Sequence, residues 1–268
     1  MVIPTTTPIA PRTLQATRYV VPLREGGSLP AVVEADDGDL YVMKFQGAGQ
    51  GRKALVAELI AGRIGQSLGL PVPELVLLEM DGQLGRSEPN PEIRDLLSAS
   101  VGLNLGMRYL PSALAYTPMA QPALDPARAS DIVWFDAYIT NVDRTVRNVN
   151  MLLAEEQLWL IDHGASLIFH HDWSDYLARS QSPYAFVAQH VLLPQADQLA
   201  GSNDLLTVRL TDDKIVTAVA GVPDLWLGDE PQFKTPGAHR QGYVDYLLAR
   251  RAAADIFVEE AIRAREQL

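Results

Sequence analysis

The chain has no cysteine among its 268 residues, and this absence excludes several kinds of site. Disulfides, thiolate-bound zinc, iron–sulfur clusters and cysteine nucleophiles all require the sulfur atom that cysteine supplies. Basic residues are also scarce, because 22 Lys and Arg stand against 33 Asp and Glu and leave a formal charge of −11. Nucleic-acid binding depends on clustered Lys and Arg that face phosphates, so we expect no direct nucleic-acid partner.

Long apolar runs are missing as well. No run reaches the roughly 18 residues needed to cross a bilayer, so we expect no membrane association. The N-terminal residues contain neither the basic nor the apolar stretch of a signal peptide, and we therefore expect a cytoplasmic protein. Apolar residues make up 47% of the chain, a share that is typical of a folded soluble protein and excludes disorder over the whole length.

The N-terminal part is predicted to be rich in strands. Residues 1–12 are rich in Thr and Pro and predict an extended, flexible arm. An Asp-Asp-Gly-Asp turn at 36–39 separates two strand candidates, because Asp-Gly favours the positive φ angles of a tight hairpin. The main helix follows, with apolar residues every fourth position, and a glycine and a proline then end it. The residues of that apolar stripe are Val56, Ile60, Ile64 and Leu68. Residues 74–80 predict another strand, and residues 91–100 a short helix.

The C-terminal part is predicted to be mainly helical. Residues 111–125, rich in Ala and Pro, suit a connection, and the apolar spacing of 126–138 predicts a buried helix. A polar loop at 141–148 and two short strands, at 149–153 and 158–161, come next. The last stretch, 243–265, is rich in Ala, Arg and Glu and predicts one long helix.

Polar residues that suit phosphate chemistry occur in a distinctive order. Lys44 lies near the end of a strand, and Glu58 follows fourteen residues later on the main helix. Asp143 and Asn148 lie five apart in the polar loop, and Asp162 ends a strand nineteen residues after Asp143. The crowded negative charges on a nucleotide's phosphates need a fixed cation, such as the ammonium group of a lysine. The flexible lysine side chain in turn needs a carboxylate to hold it in place. Mg²⁺ prefers hard oxygen ligands such as carboxylate and amide oxygens, and a further carboxylate can orient or deprotonate a hydroxyl.

This order resembles the signature set of protein kinases, and in detail it is most similar to the HipA-like bacterial kinases. Three blocks carry the resemblance: Glu-Gly-Gly-Ser-Leu-Pro at 25–30, Tyr-Val-Met-Lys-Phe at 41–45 with Glu58 and the sequence at 68–73, and the region from Asp143 to Asp162. The loop reads Asn-Val-Asp-Arg-Thr-Val-Arg-Asn, and the later motif reads Asp-His-Gly. No Ala-Pro-Glu follows, so we do not expect an activation segment of the eukaryotic kind.

The resemblance implies a two-lobed, protein-kinase-like α+β fold. Its N-lobe, 13–110, would hold a twisted antiparallel sheet and one helix, and its mainly helical C-lobe would span 111–268. Lys44 would contact the α- and β-phosphates and Glu58 would hold Lys44, while Asp143 would serve as the base or orienter for the acceptor hydroxyl. The remaining implied contacts are Gly26, Gly27 and Ser28 over the phosphates, Met107 and Tyr109 near the adenine, and Asn148 and Asp162 on Mg²⁺, with Asn150 as an extra ligand.

The function that follows is an ATP- and Mg²⁺-dependent transfer of phosphate to a hydroxyl. The resemblance favours a protein Ser or Thr as acceptor, and a small-molecule hydroxyl or a non-catalytic ATP-binding pseudokinase are the alternatives. A weaker alternative is a metallohydrolase, because Asp and His residues can bind transition metals. Its ligands would come from the cluster His163, His170 and His171, with His190 downstream, although no His-Glu-x-x-His spacing is present.

Overall fold

The computed structural model describes residues 10–23, 29–49, 51–84, 88–118, 124–228 and 230–268. Its N-terminal part contains five strands and two helices. They are β1 (Thr13–Pro22), β2 (Ala31–Ala35), β3 (Leu40–Lys44), α1 (Gly51–Leu68), β4 (Leu75–Met80), α2 (Pro91–Ala99) and β5 (Gly102–Arg108). The short helix predicted at 91–100 is therefore present in addition to the main helix.

The five strands form a closed barrel in the order β1-β2-β3-β5-β4, whereas we expected a twisted antiparallel sheet. The barrel closes because β1 pairs in parallel with β4, with Thr13 opposite Leu77, while every other pair is antiparallel. Two register shifts within β1 let this ten-residue strand bend from β2 towards β4. Closure pairs both edges that an open sheet would leave exposed.

Local sequence explains how β3 and α1, the elements that carry Lys44 and Glu58, begin, end and pack. The hairpin between β2 and β3 turns at Gly38, whose φ of 82° is in the left-handed region that glycine adopts without a steric penalty. Helix α1 buries most of its length, and Gly69, at φ 81°, follows its last residue. Gly65 lets α1 approach the C-terminal part closely, because a methyl group there would lie 3.2 Å from the ring of Phe135.

The C-terminal part consists of a small sheet and a group of helices. Strand β6 (Leu114–Ala115) pairs with β7 (Met151–Ala154), which pairs with β8 (Gln157–Leu160). The helices are α3 (Pro126–Tyr138), α4 (Tyr176–Arg179), α5 (Leu199–Arg209), α6 (Asp212–Ala220), α7 (Pro236–Ala252) and α8 (Ala254–Glu266). Helix α3 has the bounds that its apolar spacing predicts. A strand-rich N-terminal part followed by a helical C-terminal part is confirmed.

The single long helix predicted at 243–265 is wrong. The chain instead forms α7 and α8, which are separated by Ala253 at φ −105° and ψ 24°. The turn lets α8 pack against α3, where Phe257 meets the ring of Trp134 edge-on, and the guanidinium of Arg250 lies 4.8 Å from the centre of the Phe257 ring. Tertiary packing here overrides the helix propensity of the Ala-rich sequence.

One apolar core runs through both parts of the chain. It extends from α1 and one face of β4 and β5 through α3 to α8. A smaller core fills the barrel, with Val33, Tyr41 and Met43 among its members. Among the described residues, no helix is long and apolar enough to cross a membrane.

Candidate active site

The structure brings Lys44, Glu58 and Asp162 into direct contact. Lys44 is the last residue of β3, and its Nζ lies 2.5 Å from Oε2 of Glu58 on α1 and 2.7 Å from Oδ1 of Asp162 after β8. The Lys44 side chain is 15% exposed and that of Glu58 only 2%, whereas 44% of the Asp162 side chain is exposed. Asp162 is therefore the carboxylate in this trio that solvent, and hence a ligand, can reach.

The charges of this trio stabilise one another. Burial alone would lower the pKa of Lys44, but the carboxylates of Glu58 and Asp162 raise it above the ordinary lysine value. Burial alone would raise the pKa of Glu58, but Lys44 and His163 lower it below the usual glutamate range. Nδ1 of His163 lies 3.4 Å from the other oxygen of Glu58. At neutral pH the site therefore holds a fixed cation between two carboxylates.

The loop after α3 brings Asp143, Asn148 and Asn150 together. The side-chain amide of Asn148 donates to Oδ2 of Asp143 at 2.7 Å. The amide of Asn150 donates to the backbone carbonyl of Asp143 at 3.0 Å and to the same Oδ2 at 3.3 Å. Among the described residues, the other carboxylate oxygen of Asp143 accepts no hydrogen bond. Asn148 uses its NH₂ group here, so its amide oxygen is the atom left to face a cation.

Backbone hydrogen bonds place this loop beside the segment of Asp162. Ile161 N donates to Asn150 O at 3.1 Å, and Val142 N donates to Ala165 O at 3.4 Å. Asn150 and Asp162 both adopt left-handed backbone, at φ 49° and 54°. Asn and Asp tolerate this conformation better than other non-glycine residues, which gives a local reason for these residue types at these positions.

Three groups of predicted contacts have different outcomes. Gly26, Gly27 and Ser28 lie outside the described residues. Met107 is buried near the end of β5, paired with Val42 and Leu75. The backbone N–H of Tyr109 already donates to Leu40 O, at 2.9 Å. An adenine contact at Met107 and Tyr109 stays a prediction. The N–H of Tyr109 is already bonded to the carbonyl of Leu40.

The histidines have separate partners. Nδ1 of His163 faces Glu58, Nδ1 of His170 lies 3.0 Å from the hydroxyl of Tyr243, and Nε2 of His190 lies 2.9 Å from Oδ2 of Asp136. Within the described part of the chain, no three His, Asp or Glu side chains come together in a way that could hold a metal. The geometry therefore gives the metallohydrolase alternative no support.

Sequence reasoning missed a buried charged cluster behind the loop, formed by Asp136, Arg144 and His190. The carboxylate of Asp136 is fully buried on α3 and lies 2.5 Å from Nε of Arg144. Burial alone would raise the pKa of Asp136, but Arg144 and His190 lower it below the usual range. A signal was present, because Asp136 stands among apolar residues of a helix face predicted to be buried, where a carboxylate requires partners.

Comparison with known proteins shows the family of this chain. The sequence profile of the HipA-like kinase family matches residues 18–260. The chain belongs to the HipA-like kinase family. This family membership makes it an ATP-dependent kinase. No curated protein sequence matches the chain.

Comparison of this HipA-like kinase with solved structures also found kinases. The Helicobacter pylori proinflammatory kinase CtkA has a TM-score of 0.57 and 14% identity, over 96% of this chain and 99% of that one. A Golgi casein kinase has a TM-score of 0.49 and 13% identity, over 96% of this chain and 72% of that one. A structure of the Golgi casein kinase with Mn/ADP bound has a TM-score of 0.47 and 12% identity, over 96% and 74%. At these identities the likeness to CtkA concerns the fold alone.

Proposed function

We propose that this HipA-like kinase uses Mg²⁺ and ATP to phosphorylate a hydroxyl group, that of a Ser or Thr in a protein. The proposed site lies between two lobes, 13–110 and 111–268. The observation that carries the proposal is the contact of Lys44 with both Glu58 and Asp162, beside the loop of Asp143. Within the described part of the chain, one carboxylate oxygen of Asp143 accepts no hydrogen bond. Phosphoryl transfer depends mainly on positioning and on charge, and these residues supply both.

Lys44 is proposed to bind the α- and β-phosphates. Its ammonium group stays charged, because the neighbouring carboxylates raise its pKa. Glu58 is buried and bonded to Lys44, so it fixes the long lysine stem at low entropic cost when the nucleotide arrives. In this role Lys44 exchanges its contact with the half-exposed Asp162 for one with phosphate and keeps its contact with Glu58.

Asp162 and Asn148 are proposed to hold the metal. Their donor atoms are a partly exposed carboxylate and an amide oxygen, both of them the hard ligands that suit Mg²⁺. Such a cation would neutralise charge on the phosphates as the γ-phosphoryl group leaves. Asn150 is proposed to orient that carboxylate through its hydrogen bond to Asp143, and the extra-ligand role that the resemblance implies for Asn150 stays a prediction.

Asp143 is proposed to accept the proton of the acceptor hydroxyl. Two amide donors hold its Oδ2, which leaves Oδ1 to receive that proton. The hydroxyl oxygen then forms a bond to the γ-phosphorus, and the bond from that phosphorus to the oxygen bridging it to ADP breaks. The proton ends on Asp143 and ADP leaves.

The test is transfer of label from γ-³²P-ATP to dephosphorylated casein, with and without Mg²⁺, by the wild type and by Asp143→Asn. We expect Mg²⁺-dependent label on Ser or Thr in the wild type and a loss of roughly 100- to 10,000-fold in Asp143→Asn, which cannot accept the proton. Asp95→Asn, on the exposed face of α2, is the matched control and should keep wild-type activity. Mg²⁺·ATP at 100 times Kd should stabilise wild type and Asp143→Asn alike, by about 2.7 kcal/mol.

Other results would favour the alternatives. Label found only in a small-molecule fraction would replace the protein acceptor with a small hydroxyl compound. Stabilisation by Mg²⁺·ATP without any ADP formation would indicate a pseudokinase. Full activity in the presence of excess chelator would contradict the proposed metal ligands.

A further inference from the structure

The buried cluster of Asp136, Arg144 and His190 lies directly behind the loop of Asp143. Asp136 is near the end of α3, Arg144 follows Asp143, and His190 ends a short turn of 3-10 helix at Ala185–Gln189. Their side chains are between 0 and 3% exposed. Burying charges is costly unless they are paired and hydrogen-bonded, and the contacts of Asp136 supply such partners.

Asp136 is connected to Asp143 by two separate routes. Its Oδ1 accepts from the side-chain amide of Asn141 at 2.9 Å, and the oxygen of that amide accepts from Asp143 N at 3.1 Å. Its Oδ2 accepts from Nε of Arg144 at 2.5 Å. Arg144 also donates to the carbonyl of Asn150, whose side chain holds Asp143. The carboxylate of Asp136 thus supports Asp143 from both ends of the loop.

His190 acts on Asp136 as a neutral donor. Leu192 N donates to Nδ1 of His190 at 3.0 Å, so Nδ1 carries no proton. The ring proton is then on Nε2, which lies 2.9 Å from Oδ2 of Asp136 and donates to it. The backbone reinforces this arrangement, because Val191 N donates to Arg144 O at 3.1 Å and Thr145 forms a β-bridge with His190.

We propose that His190 is a positioning residue for phosphoryl transfer: its Nε2–H orients Asp136, which in turn holds Asn141 and Arg144 and thereby the carboxylate of Asp143. This inference rests on the proposed function of Asp143. It predicts that loss of the Nε2 donor lowers kcat and leaves nucleotide binding intact, because Lys44, Glu58 and Asp162 make no contact with the cluster among the bonds described above. Misplacing a catalytic group by about 1 Å can cost about 100-fold in rate.

Two conservative variants separate the two hydrogen bonds of His190. In His190→Gln the Nε2 amide can reach Asp136, but no acceptor remains for Leu192 N. In His190→Asn the side-chain oxygen can accept from Leu192 N two residues on, as in an Asx turn, but the side chain is too short to reach Asp136. A purely structural role in the turn would favour Asn, whereas the positioning role favours Gln.

The experiment measures ADP formation from Mg²⁺·ATP by the wild type and both variants, together with KM for ATP and the thermal midpoint. We expect His190→Gln to keep kcat within about 3-fold, and His190→Asn to lose about 10- to 100-fold in kcat with KM for ATP unchanged. A kcat of His190→Gln equal to or below that of His190→Asn would overturn the inference. A wild type that forms no ADP would instead contradict the proposed function itself.

A measurement on the wild type keeps the inference testable if His190→Asn does not fold. The ¹⁵N and ¹H chemical shifts of the imidazole distinguish its two neutral tautomers and its charged form. We expect the proton of His190 on Nε2 and none on Nδ1 at pH 7. A proton on Nδ1 would remove the bond from Leu192 N, contradict the donor role of Nε2 and overturn the inference.

Discussion

Among single side chains, Glu58 allows the clearest prediction, because it is buried and its charge holds Lys44 in place. It lies at the buried face of α1, in contact with Lys44 on one oxygen and His163 on the other. Replacing it with Gln keeps the shape of the side chain and removes the charge that holds Lys44. Hydrogen bonds to charged groups contribute about 1.5–3 kcal/mol, which corresponds to roughly 10- to 100-fold in an equilibrium or rate.

We therefore expect Glu58→Gln to lower kcat/KM for ATP by roughly 10- to 100-fold. The measurement is steady-state ADP formation over a range of ATP concentrations. Glu79→Gln is the matched control, since Glu79 is exposed on β4 and the carboxylates bonded to Lys44 are those of Glu58 and Asp162. An unchanged kcat/KM in Glu58→Gln would show that Lys44 needs no carboxylate from α1.

At the scale of elements, α1 is held by side chains from the C-terminal helices. Its last turn has no basic residue of its own. Instead Arg209 of α5 donates to Leu68 O at 3.1 Å, and Lys214 of α6 donates to Ser67 O at 2.9 Å. Cations at the C-terminal end of a helix satisfy unpaired carbonyls and interact favourably with the helix dipole. The helix that carries Glu58 is thereby fixed from the far side of the molecule.

Removing both cations should loosen α1. Such contacts contribute about 0.3–1 kcal/mol each, and burial and the charge of Arg209 lower the pKa of Lys214, so we expect a loss of about 1 kcal/mol. For Arg209→Gln with Lys214→Gln the thermal midpoint should fall by about 2–4 °C and KM for ATP should rise. The measurements are thermal unfolding and ATP kinetics.

The control removes two other basic charges, by Arg263→Gln with Lys234→Gln. Both side chains are exposed, Arg263 on α8 and Lys234 before α7. The bonds to the end of α1 come from Arg209 and Lys214 instead. This variant should keep the wild-type KM for ATP. If the α1 variant loses stability with no change in KM, the position of Glu58 does not depend on these caps.

The elements predicted well are those with a local signal. The turn at Gly38, the apolar stripe of α1 and the bounds of α3 all follow from residues within one element. The parallel pairing of β1 with β4 does not, because it joins residues about sixty positions apart with no turn to set the register. The break at Ala253 likewise comes from packing against α3, which helix propensity cannot register.

The candidate site likewise has one part that the sequence predicts and another part that it does not. The order of Lys44, Glu58, Asp143, Asn148 and Asp162 predicts a kinase-like site, and the structure brings these residues into two adjacent groups. The role of His190 has no local signal, since its partner Asp136 is 54 residues earlier in the chain. Long-range pairing between buried polar groups is visible only once the helices are packed.

At the scale of the whole molecule, one apolar core joins α1 and one face of β4 and β5 to the helices up to α8. A shared core makes independent unfolding of either part costly, because each would expose apolar surface that the other covers. Trp226 adds a polar contact across the same boundary, where its indole N–H donates to Leu103 O of β5 at 3.1 Å. Barrel closure also removes the free edges from which a sheet could fray.

We therefore expect a single cooperative unfolding transition for the entire chain. All four tryptophans lie at position 134 or later, so their fluorescence reports the helical part. The chain lacks cysteine, so Glu79→Cys labelled with a dye on β4 reports the barrel specifically. The two probes should give the same midpoint in urea, and Mg²⁺·ATP should raise both together, because ligand binding to the folded state stabilises everything that unfolds with it. A dye transition at lower urea than the tryptophan transition would show that the barrel unfolds by itself and that the shared core does not couple the two parts.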